Sequence, residues 1–141
     1  MKVAIIYWSA TGNTRIMAQS IGKGLKSAGT ECNLIPVSEA KESTIDEHEM
    51  IAFGCPSMGT EMLEEIEFDP YFTKIESKLK NKKVALFGSY SWGNGEWMRD
   101  WEKRVIVDNA HLFEEGLTIN DTPDEDGIKS CIDYGERFSK F

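Results

Sequence analysis

The most constraining feature of this 141-residue chain is an alternation that runs from end to end. Short apolar runs are followed, again and again, by apolar residues spaced along one face of a helix. Val3 to Tyr7 is unbroken apolar sequence, as a strand covered on both faces requires. Met17, Ile21, Leu25 and Ala28 then share one helical stripe, and Gly29 stops it. Glu31 to Val37 and Met50 to Gly54 read as the second and third strands. Phe68, Phe72, Ile75 and Leu79 form the next stripe, Lys83 to Gly88 a fourth strand, and Met98, Trp101 and Val105 a further stripe. A short fifth strand falls within Leu112 to Ile119, interrupted at Gly116. Thr122 as N-cap, Pro123 at N1 and Glu125 at N3 make a capping box for a last helix with Ile128, Ile132, Gly135 and Phe138 inward.

Strand–helix alternation with short connections predicts an α/β fold: a five-stranded parallel sheet with helices on both faces. Order 2-1-3-4-5 is the leading topology, and it places a ligand crevice outside the carboxyl ends of strands 1 and 3. No linker or repeat breaks the chain, so residues 1–141 are expected to form a single domain. Sixteen Lys and Arg against 24 Asp and Glu give a net charge of −8, which argues against nucleic acid and anionic membrane as partners. No apolar run approaches the ~20 residues that span a bilayer. Met1-Lys2 leads straight into the first strand without a small-residue cleavage site, so no signal peptide is expected. Cys32, Cys55 and Cys131 form no CxxC motif, and only His48 and His111 could join them. The expectation is three reduced thiols in the cytoplasm and no metal site.

Function is therefore expected in the loops that end strands 1, 3 and 4. The first, Ser9-Ala10-Thr11-Gly12-Asn13-Thr14, is small and polar and opens a helix, so its N–H groups and hydroxyls suit an anion. It is neither a Walker A loop nor a GxGxxG fingerprint, it contains no Lys or Arg, and an ordinary capped turn would use the same residues. The second is Cys55-Pro56-Ser57-Met58-Gly59-Thr60-Glu61, where Met58 serves equally as a ligand surface or a core filler. The third, Ser89-Tyr90-Ser91-Trp92-Gly93-Asn94-Gly95-Glu96-Trp97, sets aromatics among glycines. Such rings either form a platform for a flat ligand or fold back on the core. Together the loops imply a planar ligand bearing one phosphate.

Three stretches carry a family resemblance: Tyr7-Trp8-Ser9-Ala10-Thr11-Gly12-Asn13-Thr14, Gly54-Cys55-Pro56-Ser57-Met58-Gly59 and Leu86-Phe87-Gly88-Ser89-Tyr90-Ser91-Trp92-Gly93. In this order they resemble the motifs of flavodoxins, specifically the short-chain type of anaerobic bacteria. The resemblance implies non-covalently bound FMN. Ser9, Thr11, Asn13 and Thr14, with the backbone N–H groups of residues 10 to 14 (Ala10 and Gly12 included), would hold its phosphate. Met58 would lie on the inner face of the flavin and Trp92 on the outer. The Gly59 carbonyl would turn toward flavin N5, Glu61 would accept from N3–H, and the Ser89 to Asn94 backbone would meet the pyrimidine edge. Pro56, Ser57, Thr60, Tyr90, Ser91, Gly93 and Trp97 complete the expected site.

The implied function is a low-potential one-electron carrier, passing through a neutral semiquinone and serving reductases and ferredoxin-dependent enzymes, as a monomer. Glu61, Glu64, Glu65, Glu67 and Asp69 directly follow Met58-Gly59 and suggest partners with basic docking surfaces. Three positions depart from the family pattern: Ala10 and Ser91 stand for glycines, and Thr60 for Asp or Ser. A four-residue turn over Met58–Glu61 would press Thr60 toward positive φ in one of its two forms. Two other activities fail on residues. Trp8-Ser9 and Cys55-Pro56 offer no carboxylate cluster for a receiver domain, and six residues after Cys55 a tyrosine phosphatase would need Arg but finds Glu61. A quinone reductase would need a larger chain. An FMN activator protein dedicated to a single partner enzyme stays open as the alternative.

Overall fold

The computed structural model describes residues 2–141; Met1, where the expected domain and leaderless start begin, lies outside the described residues. The chain runs β1 (Lys2–Tyr7), α1 (Asn13–Ser27), β2 (Glu31–Pro36), α2 (Glu42–Asp46), β3 (Met50–Gly54), α3 (Phe68–Ile75), β4 (Lys83–Tyr90), α4 (Glu96–Val107), β5 (His111–Leu112), β6 (Leu117–Asn120) and α5 (Glu125–Phe138). All strand pairings are parallel, in the order β2-β1-β3-β4, with β5 and β6 both on the outer edge of β4. The last strand is thus split, as expected, around Gly116. There Met98 leaves no room for a Cβ.

Alternation along the strands sorts the core into two layers. Ala4, Ile6, Ile51, Phe53, Val84 and Leu86 face α3 and α4, packing on Phe68, Phe72, Ile75, Trp101 and Val105. Val3, Ile5, Met50, Ala52, Ala85 and Phe87 face α1 and α5, packing on Met17, Ile21, Leu25, Cys131, Tyr134 and Phe138. The sheet is covered on both faces, which is why its central strands read as continuous apolar sequence.

The structure corrects two local readings. The N-cap of α5 is Asp124, whose carboxylate accepts the Gly127 N–H at 2.8 Å. Thr122 instead donates its hydroxyl to Asn13 Oδ1 at 3.0 Å. The buried stripe of α5 is Gly127, Cys131, Tyr134, Gly135 and Phe138, with Ile128 and Ile132 only half-buried. The rotation follows from glycine-mediated packing. A Cβ on Gly24 would meet the Ile132 carbonyl, and one on Gly135 the Ile21 carbonyl, so α1 and α5 touch backbone to backbone. The short helix α2 has no counterpart in the sequence reading. Among the described residues, no helix is long and apolar enough to cross a membrane.

Candidate functional site

Hydrogen bonds beyond the strand ends lace the carboxyl-end loops together. Trp8 N–H donates to the Gly54 carbonyl at 3.0 Å, Cys55 N–H to Phe87 at 3.1 Å, Ser57 N–H to Ser89 at 3.0 Å and Asp121 N–H to Tyr90 at 2.7 Å. Close approach demands glycine in two strands. A Cβ on Gly88 would run into the Cys55 carbonyl, and one on Gly54 into the Phe87 ring. Between the loops lies a cavity of about 400 Å³, lined by Ser9, Ala10, Thr11, Asn13, Thr14, Pro56, Ser57, Met58, Ser89, Tyr90, Ser91, Asp121 and Thr122. That volume falls within the ~300–1,000 Å³ of small-molecule sites.

One end of the cavity is the loop into α1. Gly12, at φ 102°, takes the left-handed conformation that aims this loop, a conformation costly for any residue with a Cβ. Ser9 Oγ accepts the N–H groups of Gly12 (3.1 Å) and Arg15 (3.3 Å), holding the turn shut. The buried Thr14 hydroxyl bonds Ser89 Oγ at 3.0 Å and accepts the Ser89 N–H at 3.3 Å, fixing the loop to β4. The backbone N–H groups of Ala10, Thr11, Asn13 and Thr14 find no acceptor among the described residues. Unpaired donors at the start of a 15-residue helix fit an anion, held by neutral groups and the helix dipole. Arg15 is exposed and lines a neighbouring cavity of about 310 Å³ with Trp8 and Glu67.

The loop after β3 is a hairpin. Met58 and Met62 exchange backbone bonds of 2.8 and 2.9 Å around Gly59, Thr60 and Glu61. The turn is therefore one residue longer than the sequence suggested. Positive φ falls on Gly59 (53°) and Glu61 (58°), and Thr60 escapes it, which removes the expected strain at Thr60. Ala10 and Ser91 likewise lie outside the left-handed region, so those departures from the family pattern are free of backbone strain. In the loop after β4, Gly93 (95°) and Gly95 (89°) take the positive φ values.

Glu61 spans the two loops. Its carboxylate accepts the N–H groups of Asn94 at 2.8 Å, of Glu96, and of Trp97 at 3.3 Å, capping α4. The bond from Asn94, with those from Glu96 and Trp97 and the nearby Arg99, holds the Glu61 carboxyl below the usual carboxylate range. A Cβ on Gly93 would overlap this carboxylate, which fixes glycine there.

The two tryptophans of the loop part company. Trp92 is 59% exposed, whereas Trp97 is packed in the core with its indole N–H on the Cys55 carbonyl at 3.2 Å. Trp97 thus supports the site from behind and does not line the cavity. Of the other expected site residues, Gly12, Gly59, Thr60, Glu61, Trp92, Gly93 and Asn94 are not among those that line it.

The acidic run is more structural than its sequence suggests. Glu64 is buried and its carboxylate accepts the N–H groups of Ile66 (2.7 Å), Glu67 (2.8 Å) and Phe68 (2.8 Å), capping α3. Glu67 accepts the Trp8 indole N–H at 3.1 Å, and Asp69 pairs with Arg104 at 2.8 Å. Only Glu65 of the five has no such partner among the described residues. Sequence reasoning missed Asp121 and Thr122. Their signal was position: they follow the carboxyl end of the last strand, where the other site loops also lie.

Comparison with known proteins agrees with this geometry. The flavodoxin family model matches residues 5–135. The chain is 42% identical over 135 residues to a flavodoxin of Clostridium beijerinckii, covering 96% of this chain and 97% of that one. It is 39% identical over 138 residues to the flavodoxin of Megasphaera elsdenii, covering 98% of each. The solution structure of the two-electron reduced Megasphaera elsdenii flavodoxin matches with a TM-score of 0.89, covering 99% of both chains. The chain belongs to the flavodoxin family, electron-transfer proteins that bind FMN without a covalent bond.

Proposed function

We propose that the cavity between the loops after β1, β3 and β4 holds FMN, and that the protein is a low-potential carrier of single electrons between redox enzymes. The observation that carries this reading is the set of unpaired N–H groups at Ala10, Thr11, Asn13 and Thr14, at one end of a cavity of fitting size. When bound, FMN supplies the redox chemistry, accepting and releasing electrons one at a time.

The chain's own residues hold and tune it. Ser9, Thr11, Asn13 and Thr14, with the loop backbone, bind the phosphate. Met58 forms the inner wall and Trp92, exposed and without a ring partner among the described residues, the outer. The Gly59 carbonyl accepts no bond among the described residues and is free to turn toward flavin N5. Glu61 already accepts three N–H groups, and a carboxylate offers about four acceptor sites, which leaves capacity for the flavin N3–H.

The carrier acts as a monomer in the cytoplasm, on partners that present basic surfaces. The three free thiols support that compartment, and Glu61, Glu65 and Glu67 support that partner chemistry. No observation favours an activator dedicated to one enzyme. Potentiometry followed by the visible spectrum tests the reading. Two separate one-electron midpoints are expected, and a single two-electron transition overturns it.

A further inference from the structure

Sulfur is unevenly exposed in this molecule. Cys55, Cys131, Met17, Met50 and Met98 are buried, and Cys32 and Met58 are half-buried. Met62 is 46% exposed, more than any other described cysteine or methionine. The thiols are poor targets for an oxidant. Burial pushes all three upward, Cys131 to about 12, so little thiolate exists at neutral pH. A thioether needs no deprotonation before it reacts, and the accessible one is Met62.

Met62 also closes the hairpin that carries Gly59, through its two backbone bonds with Met58. Its sulfur lies 3.7 Å from the Thr60 hydroxyl and 3.8 Å from where a Cβ on Gly59 would stand. The side chain thus curls back onto the turn. A thioether is a weak acceptor, so the Thr60 hydroxyl gains little from it. The N–H groups of Gly59, Thr60 and Glu61 find no acceptor among the described residues. In the two shallow grooves that Met62 borders, Glu61, Asp69 and Asp100 outnumber Arg104 on one side, and Glu64 and Glu65 line the other. Such a field repels anionic oxidants and admits a neutral one.

We infer that Met62 is a site of reversible oxidation by hydrogen peroxide, and that its sulfoxide holds the Met58–Met62 turn and so resets the first one-electron step. This rests on the proposed carrier function and names a regulation of its site. A sulfur lone pair attacks one peroxide oxygen, the O–O bond breaks, and an S=O bond forms. The other oxygen leaves as water with both protons, so sulfur loses two electrons and peroxide gains them. A dithiol, acting through a sulfoxide reductase, reverses the step, becoming a disulfide as the oxygen departs as water. The new oxygen is a strong acceptor beside the Thr60 hydroxyl. Once that bond forms, the turn resists the movement that brings the Gly59 carbonyl to flavin N5.

The test treats FMN-loaded, oxidised protein with dilute hydrogen peroxide and reads a peptide mass map and both midpoints. Met62 should gain one oxygen well ahead of Met17, Met50, Met58 and Met98. The first midpoint should then move negative by about tenfold in equilibrium, about 59 mV for one electron, and the second should move less. Methionine sulfoxide reductase with a dithiol should restore it. Met62→Leu should keep the midpoints of the untreated protein and lose the response to peroxide. Oxidation that falls first on another of these methionines, or a first midpoint unmoved once Met62 is oxidised, overturns the proposal. An equal response in Met62→Leu overturns it too. Failure of the unaltered protein to bind FMN, or to show two midpoints, overturns the carrier function and the midpoint effect with it, while the mass map still decides the oxidation site.

Discussion

The loop after β1 and the paired loops after β3 and β4 enclose one cavity but are built on different principles. The first does its work with the main chain. Ser9 and Thr14 spend their side chains holding the turn, which leaves the N–H groups of residues 10, 11, 13 and 14 free. The other two work with side chains that also have structural duties. Glu61 caps α4, Trp97 fills the core, and Trp92 is left in solvent. A backbone cradle is complete before its ligand arrives, whereas a side-chain wall is shared between folding and binding.

The largest effect should come from disturbing the backbone cradle. Gly12→Val places a β-branched residue at φ 102°, a strain of ~1–3 kcal/mol, and the turn will shift to relieve it. Loss of two charge-assisted bonds at ~1.5–3 kcal/mol each lowers FMN affinity about a hundredfold or more. Riboflavin, which lacks the phosphate, should bind with unchanged affinity. If both ligands weaken equally by fluorescence titration, the loop acts through the whole fold and the contrast between the two regions fails.

Next comes the shared side chain. Glu61→Ala uncaps α4 and opens the link between the loops, so both the thermal midpoint of the apoprotein and its FMN affinity should fall. Since its folded pKa is depressed, the stabilisation is present above the ordinary carboxylate range and is lost as pH falls through the folded value. Glu61→Ala should therefore matter at neutral pH and fade in acid. A variant that loses FMN affinity without any change in melting would show that Glu61 serves the ligand alone.

Trp92→Ala should do less and should touch binding only. Aromatic stacking is worth ~0.5–1.5 kcal/mol beyond area burial, so FMN affinity drops several-fold. The melting of the apoprotein stays unchanged because Trp92 is exposed. Calorimetric titration showing no loss of affinity removes Trp92 from the outer wall.

What the sequence made legible follows the same division. The sheet order, the loop of free N–H groups that opens α1 and the split last strand depend on periodicity, small residues and chain order, all local signals. Trp97, Glu64 and Thr60 were misjudged because their surroundings come from distant segments. Trp97 meets the Cys55 carbonyl, and the Met58–Met62 hairpin gains the extra residue that spares Thr60. Glu64 looks like one more surface charge until α3 is seen to start above it. Thr122 and Asp124 were both competent caps for α5. Asn13, far away in sequence, engages the first and leaves the cap to the second. In α5 the glycines set the contact face with α1 and override the isoleucine spacing.

The smallest predicted effect on FMN affinity lies away from both loops and serves as their control. Asp108 follows α4 as its C-cap, with Oδ2 buried and without a hydrogen-bond partner among the described residues, near Glu76 and Arg104. Burial first, and Glu76 second, push its pKa up to about 7. A raised carboxyl pKa makes stability fall as pH rises from the ordinary value of 3.8 toward 7. Asp108→Asn should therefore raise the melting temperature near pH 8, make little difference near pH 4, and leave FMN affinity untouched. Equal shifts at both pH values would assign the effect to packing.

The central claim is that preformed backbone donors at residues 10, 11, 13 and 14 hold the cofactor by its phosphate. Its most direct test is the affinity of the unaltered apoprotein for FMN and for riboflavin under the same conditions. The account predicts that FMN binds about a hundredfold tighter or more, since several charge-assisted bonds of ~1.5–3 kcal/mol each depend on the phosphate. Affinities within a few-fold of each other would contradict it.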